Sequence, residues 1–285
     1  MATLQFFPLE THSSKSFTFS ARIDPSQQPD ADASPDQTLE FRSTEIIQSG
    51  DTTVYRGVLV GLRTQELKAI CKLAVDPRRS LFDCFETESR TYQTTLRDMQ
   101  GHCIPEFYGL YDGTVKGYSA VCIILEDCGK SIYRFSHLQD EWLIKTIEIL
   151  LAIHKRGLQH NNFGPENIVV DDVKNPTSIK LIDFQHCAPH KCQQKMQLGA
   201  YKLPPADPES FGCRELWLAA KGSRVWTPRN AEDLVKRVPE YGTRTQSFEE
   251  ALRWAKADIK AWFDQWGHRA DYIDGDAVLI LEPAM

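Results

Sequence analysis

The sequence predicts an α+β fold, with antiparallel strands gathered in its first half and helices dominating the second. Three observations carry that expectation. From Ser43 the chain turns to short runs of β-branched and aromatic residues separated by turn residues, and residues 52–60 and 65–74 read as a hairpin around Gly61. Residues 141–157 set Trp142, Leu143, Ile147, Ile149, Leu150, Leu151, Ile153 and His154 on one wide apolar face, a buried helix with Asp140 as its N-cap and Gly157 as its stop. Residues 247–266 open on a capping box, Ser247 to Glu250, and align Phe248, Leu252, Ala255, Ile259, Trp262, Phe263 and Trp266 for core packing.

Composition bounds the rest. A chain of 285 residues that is 41% hydrophobic buries a sizeable core in one or two domains. Its eight cysteines lack the regular spacing of a disulfide scaffold, which points to a reducing compartment. A net charge of −6 without a Lys/Arg run argues against nucleic-acid binding, which depends on neutralising phosphates. No apolar run approaches about 18 residues, so no membrane span or membrane partner is expected. The first residues lack a basic start, a long apolar core and a small-residue cleavage site. The expected localisation is therefore intracellular, cytoplasmic or nuclear.

Taken in order, residues 1–41 read as a flexible leader. They are poor in aliphatics, and residues 24–36 mix proline, serine and acid. Within them Leu4 to Phe7 is either a stray apolar cluster or a short docking strand. After the hairpin, residues 80–96 place Phe82, Phe85, Tyr92 and Leu96 at helical spacing against a sheet. Residues 104–113 and 118–129 follow as two further strands. The helix at 141–157 then leads into His160–Val170, HNNFGPENIVV, and a strand–turn–strand ends in KLIDFQ, Lys180 to Gln185.

Those last two stretches resemble the protein-kinase-like superfamily, whose catalytic loop reads HRDLKPEN and whose metal-binding strand ends in DFG. The nearest flavour is the short fungal-type protein kinase-like domain. The resemblance implies a bilobal fold, with a small antiparallel-sheet lobe over about 42–128 and a short, mainly helical lobe over about 129–285. It puts His160 on the histidine, Asn162 on the catalytic aspartate, Gly164 on the lysine, and Asn167 and Asp183 on the two metal ligands. In AICK, Lys72 takes the phosphate-contacting lysine, with Lys68 as the alternative. Glu88 takes its helix partner, with Glu86 as runner-up. Val54, Ile70 and Val169 would line the nucleotide, Leu125 would be the gatekeeper, and Glu126 to Cys128 would offer backbone groups to the base. The aminoglycoside phosphotransferase branch shares the same loop logic.

The departures from the pattern matter as much. Ile47, Ser49 and Thr52 stand where the three phosphate-loop glycines belong, with Gly50 alone nearby, and side chains there obstruct close backbone approach to phosphate. Asparagine at 162 accepts a hydrogen bond but cannot take a proton. Losing a general base typically slows a reaction about 10²–10⁴-fold. Gly164 removes a cation aimed at the transferring phosphoryl group, commonly worth about 10²–10³ in rate. Asn161 replaces the arginine that grips a phosphorylated segment, and Gln185 replaces the glycine of DFG. The resemblance thus implies a pseudokinase that holds ATP and magnesium weakly, if at all, and serves as a binding or scaffolding module for a protein partner. The alternative is an active protein or small-molecule kinase with a degenerate catalytic loop. His186, Cys187, His190 and Cys192 are zinc-ligand types, but their spacing matches no standard finger and a zinc site is not expected. Pro208 and Glu209 weakly resemble the end of an APE motif, and residues 230–238 read as a short capped helix.

Overall fold

The computed structural model describes residues 2–9, 16–22, 38–76, 78–195, 208–223, 225, 247–266, 271–273 and 276–278. The chain divides into two compact units, Met1–Gln193 and Gln194–Met285. That division falls well inside the stretch expected to form a second lobe from 129.

In the first unit, seven strands form a closed barrel. They are β1 (Thr3–Phe7), β2 (Phe17–Ala21), β3 (Thr38–Gln48), β4 (Thr53–Val60), β5 (Leu67–Val75), β6 (Phe107–Val115) and β7 (Tyr118–Glu126). Their order around the barrel is β1-β2-β6-β7-β5-β4-β3, and a parallel pairing of β1 with β3 closes the ring. Side-chain alternation decides what each strand faces. On β5, Ala69, Cys71 and Leu73 are buried in the barrel core, while Lys68, Ile70 and Lys72 alternate with them and are more exposed. The core gathers Leu4, Phe6, Phe19, Leu39, Phe41, Leu59 and Ile124. The Phe6 ring stacks on Phe41 at 5.7 Å and meets Tyr55 edge-on at 5.1 Å.

The bilobal kinase-like architecture with a mainly helical second lobe is not what the chain builds. The sheet closes on itself, and the described residues contain five helices alongside fourteen strands. Closure is possible because residues 1–41 are not wholly a leader: they supply β1, β2 and the start of β3. Leu4, Phe6, Phe19 and Leu39 are at most 2% exposed, and burial of such side chains stabilises a fold by about 1.5–3 kcal/mol each. The average polarity of the stretch conceals two short alternating runs, Leu4/Phe6 and Phe17/Phe19. Residues 24–36 lie outside the described residues.

Helix α1 (Arg79–Gln93) packs on β6 and β7 and buries Phe85, Glu88 and Tyr92. Beyond the barrel come β8 (Lys130–Ser131), α2 (Asp140–Lys155), β9 (Leu158–Gln159), β10 (Ile168–Val170), β11 (Ile179–Leu181) and β12 (Ala188–Pro189). β10 sits between β11 and β8, and β12 pairs with β9. Asp140 is the first residue of α2 rather than its cap; Gln139 holds the N-cap position without a side-chain bond. Gly157 follows the helix with φ +82°, the left-handed conformation that suits glycine at such a stop.

The second unit contains α3 (Pro208–Phe211), α4 (Arg214–Gly222), α5 (Phe248–Trp266) and a hairpin of β13 (Asp271–Ile273) with β14 (Asp276–Val278). The Ser247 hydroxyl caps α5 by accepting the Glu250 N–H at 3.2 Å, one half of the expected box. Glu209 lies exposed in α3. The helix expected at 230–238 lies outside the described residues. Among the described residues, no helix is long and apolar enough to cross a membrane.

Candidate functional site

Lys72 projects from the outer face of β5, and its ammonium is shared between two carboxylates. It donates to Glu88 Oε1 and Oε2 at 2.9 and 3.0 Å and to Asp183 Oδ1 at 2.9 Å. Glu88 reaches it from the buried side of α1, where it is 1% exposed. Glu86, the alternative, instead pairs with Arg22 at 2.6 Å, and Lys68 is exposed on its strand. The helical period explains the difference. Glu88 lies on the face of Phe85 and Tyr92, three before it and four after it.

Asp183 comes to Lys72 through the β10–β11 hairpin. It adopts φ +72°, unusual for a residue with a side chain and tolerated best by aspartate and asparagine. Its other oxygen, Oδ2, accepts the Asn162 side-chain amide at 2.9 Å, and the Gln185 amide stands at 3.4 Å. Asn167 donates from Nδ2 to the Asn162 carbonyl at 2.8 Å, and its own carbonyl accepts the Ile182 N–H at 2.9 Å. Asn162, Asn167 and Asp183 therefore converge. His160 is fully buried behind them. Its Nε2 donates to the Ile182 carbonyl at 3.1 Å and its Nδ1 accepts the Asn162 N–H at 3.2 Å, which defines a neutral imidazole.

The electrostatics follow from burial and pairing. Burial works against the charge on Lys72, and its two carboxylates outweigh it, so its pKa is raised. Burial holds the Glu88 carboxyl above the usual range despite Lys72. For Asp183 the balance reverses: burial is outweighed by Lys72 and the Asn162 amide, and the pKa is lowered. A carboxylate of this kind, one amide oxygen on Asn167 and a fixed ammonium form a set that could hold magnesium and a phosphate.

The other expected positions surround the cluster unevenly. Val54 pairs with Lys72 across β4–β5, Ile70 with Leu125 across β5–β7, and Val169 with Lys180 across β10–β11. Leu125 is 3% exposed. At the expected hinge, the Glu126 and Asp127 N–H groups are used within the unit, bonding the carbonyls of Glu106 and Lys68 at 2.9 and 3.1 Å. Cys128 directs its thiol to the Glu126 carbonyl at 3.6 Å. Gly164 is extended, and a Cβ there would run into the flexible carboxyl end of Glu166. The turn at residues 49–52 joins β3 to β4, and Asp51 in it faces Arg78 at 3.4 Å.

Two charged anchors escaped the sequence reading. Lys180, 6% exposed, donates to both Glu126 oxygens at 2.7 Å and ties β11 to the end of β7. A lysine inside the apolar run IKLI was the available signal, since a charge buried there requires a partner. Arg56 bonds Asp127 at 2.8 Å, Glu45 at 2.6 Å and the Gly129 carbonyl at 2.8 Å. The remaining zinc-type residues divide: the His186 carbonyl accepts the Asn161 amide at 2.9 Å, and Cys187 points to the His160 carbonyl at 3.8 Å.

No protein-family model matches the chain. A stretch of 120 residues, 38% of the chain, is 30% identical to the calcium-dependent protein kinase SK5 of Glycine max. The match spans 23% of that protein's own length. This likeness hints at a kinase-like domain.

Proposed function

We propose that the chain is a kinase-like module that holds a magnesium-bound nucleotide with little phosphoryl transfer, and serves a protein partner as a binding or scaffolding unit. The observation that carries this reading is the placement of the Asn162 amide. It donates to Asp183 at the position where the resemblance calls for a proton-accepting carboxylate. Lys72, held between Glu88 and Asp183, would meet phosphate oxygens, and Asp183 with Asn167 would hold the metal. Asn162 and Gly164 supply neither a base nor a cation, so positioning is all that remains to drive transfer.

Thermal denaturation of the full chain with ATP, with magnesium, and with both is the test. Nucleotide at a hundred times its dissociation constant should stabilise the folded chain by about 2.7 kcal/mol, and only with the metal present. The Asn162→Asp variant should then transfer phosphate at least about 100-fold faster than the parent. Absence of any shift with ATP and magnesium, or parent activity equal to that of the variant, refutes the proposal.

A further inference from the structure

His154 lies in the last turn of α2 and is 2% exposed, an imidazole on the helix's buried face. After the loop that carries the candidate site, the chain returns to that helix end. β12 pairs with β9, and the His190 N–H donates to the Gly157 carbonyl at 2.8 Å. The return brings the His190 ring to 4.9 Å from the His154 ring, centroid to centroid, at an interplanar angle of 74°. Cys192 follows two residues later and is half-buried. One ligand atom from each of the three lies within 4.8 Å of the others.

We propose that His154, His190 and Cys192 form a zinc site that clamps the segment after β12 to the end of α2. Two imidazole nitrogens and a thiolate are a donor set suited to zinc, whereas magnesium and calcium take oxygen ligands. Zinc bond lengths of about 2.0–2.3 Å put tetrahedral ligand atoms about 3.3–3.6 Å apart, so the three side chains need to draw together by about one ångström. The fourth position falls to water or to a further thiolate. The histidine pair and the cysteine were unreadable as a motif because one ligand stands 36 residues ahead of the next, on a helix. Those 36 residues include His160, Asn162, Asn167 and Asp183. The ion would close that loop and hold the cluster in place, whether or not a nucleotide binds there.

The full chain, purified without chelator and dialysed against zinc-free buffer, should retain about one zinc per molecule, measured by plasma mass spectrometry. After stripping with EDTA, cobalt(II) should give the visible bands of a tetrahedral site together with a thiolate-to-metal charge-transfer band. Cys192→Ser should abolish the charge-transfer contribution of that thiolate. Cys192→Ser and His190→Ala should each weaken zinc binding by more than about 100-fold, because even changes in groups behind the ligands cost 10–100-fold. Far-UV circular dichroism checks that both variants remain folded, and His102→Ala, an exposed position, should bind zinc as the parent does. Replacing each of the other seven cysteines in turn identifies a fourth ligand if one is a thiolate. Loss of zinc from the parent on dialysis overturns the proposal, as does zinc retention unchanged by both Cys192→Ser and His190→Ala.

Discussion

Replacing Lys72 by methionine tests whether the buried charges are one coupled unit. The substitution keeps the length of the side chain and removes a cation lying 2.9 Å from each of two carboxylates. Side-chain exposures of 14% for Lys72, 2% for Glu88 and 15% for Asp183 leave little water to screen the loss. Breaking a buried pair by removing one partner costs about 3–5 kcal/mol. With a urea dependence of about 3 kcal/mol per molar, the unfolding midpoint at pH 7 should fall by about 1–2 M. Asp183 keeps the Asn162 amide and Glu88 keeps the Phe184 N–H, so the larger penalty falls on Glu88 because it is the more deeply buried of the two.

The pH dependence separates this account from simple loss of packing. Burial raises the folded-state pKa of Glu88 above its unfolded value of 4.5, and in the variant the opposing pull of Lys72 is gone, so it rises further. A raised carboxyl pKa means that the folded chain holds more protons than the unfolded chain above pH 4.5. Stability then falls as pH rises through the folded-state value. The variant should accordingly recover part of its deficit between pH 7 and pH 5, each unit of pKa difference being worth about 1.4 kcal/mol. Urea unfolding of parent and variant, followed by circular dichroism at both pH values, reads this directly. A midpoint deficit that is the same at pH 5 and pH 7, or no deficit at all, refutes the reasoning.

Other outcomes follow from single positions. Phe6→Ala should destabilise the chain by about 3–5 kcal/mol in urea, since Phe6 is packed among Phe41, Phe19 and Tyr55; an unchanged midpoint would mean that the N-terminal strands do not complete the barrel. Gly129→Ala should lose about 1–3 kcal/mol from backbone conformation alone, because Gly129 has φ +111° and an added Cβ meets the Val170 carbonyl; stability equal to the parent's would refute this. Burial pushes the Cys128 thiol up to about 12, with Glu126 nearby adding to it. At pH 8 its thiolate fraction is then about 10⁻⁴, against about a tenth for an unperturbed thiol, so folding should slow its alkylation about 10³-fold by peptide mapping. Less than tenfold protection relative to the urea-unfolded chain would show that the thiol is accessible.

Much of the side-chain cluster around Lys72 was legible because its parts are local. Lys72 lies in a strand pattern, Glu88 falls on the apolar face of a helix, and Asn162 and Asn167 share one loop. Chain order alone then places Asp183 at the end of the next strand. The anchors that hold this arrangement were not legible. Lys180 finds Glu126 across 54 residues and Arg56 finds Asp127 across 71, distances over which spacing carries no information. Asp140 was misplaced by one residue because a cap is decided by backbone angles at the helix start, and several polar residues there compete for the position.

By itself the sequence determined the alternation that turns Ala69, Cys71 and Leu73 inward and Lys72 outward, the apolar face of α2, and the amide side chain at 162. These are properties of neighbours along the chain. Only the tertiary structure decided that the sheet closes. The parallel contact of β1 with β3 joins strands between which β2 intervenes in the chain, so adjacency along the sequence does not specify it, and its stability comes from Leu4, Phe6, Leu39 and Phe41 excluding water together. The same holds where His154 meets His190. Burial and pairing energies depend on which surfaces meet, and a local pattern specifies only which surfaces seek a partner.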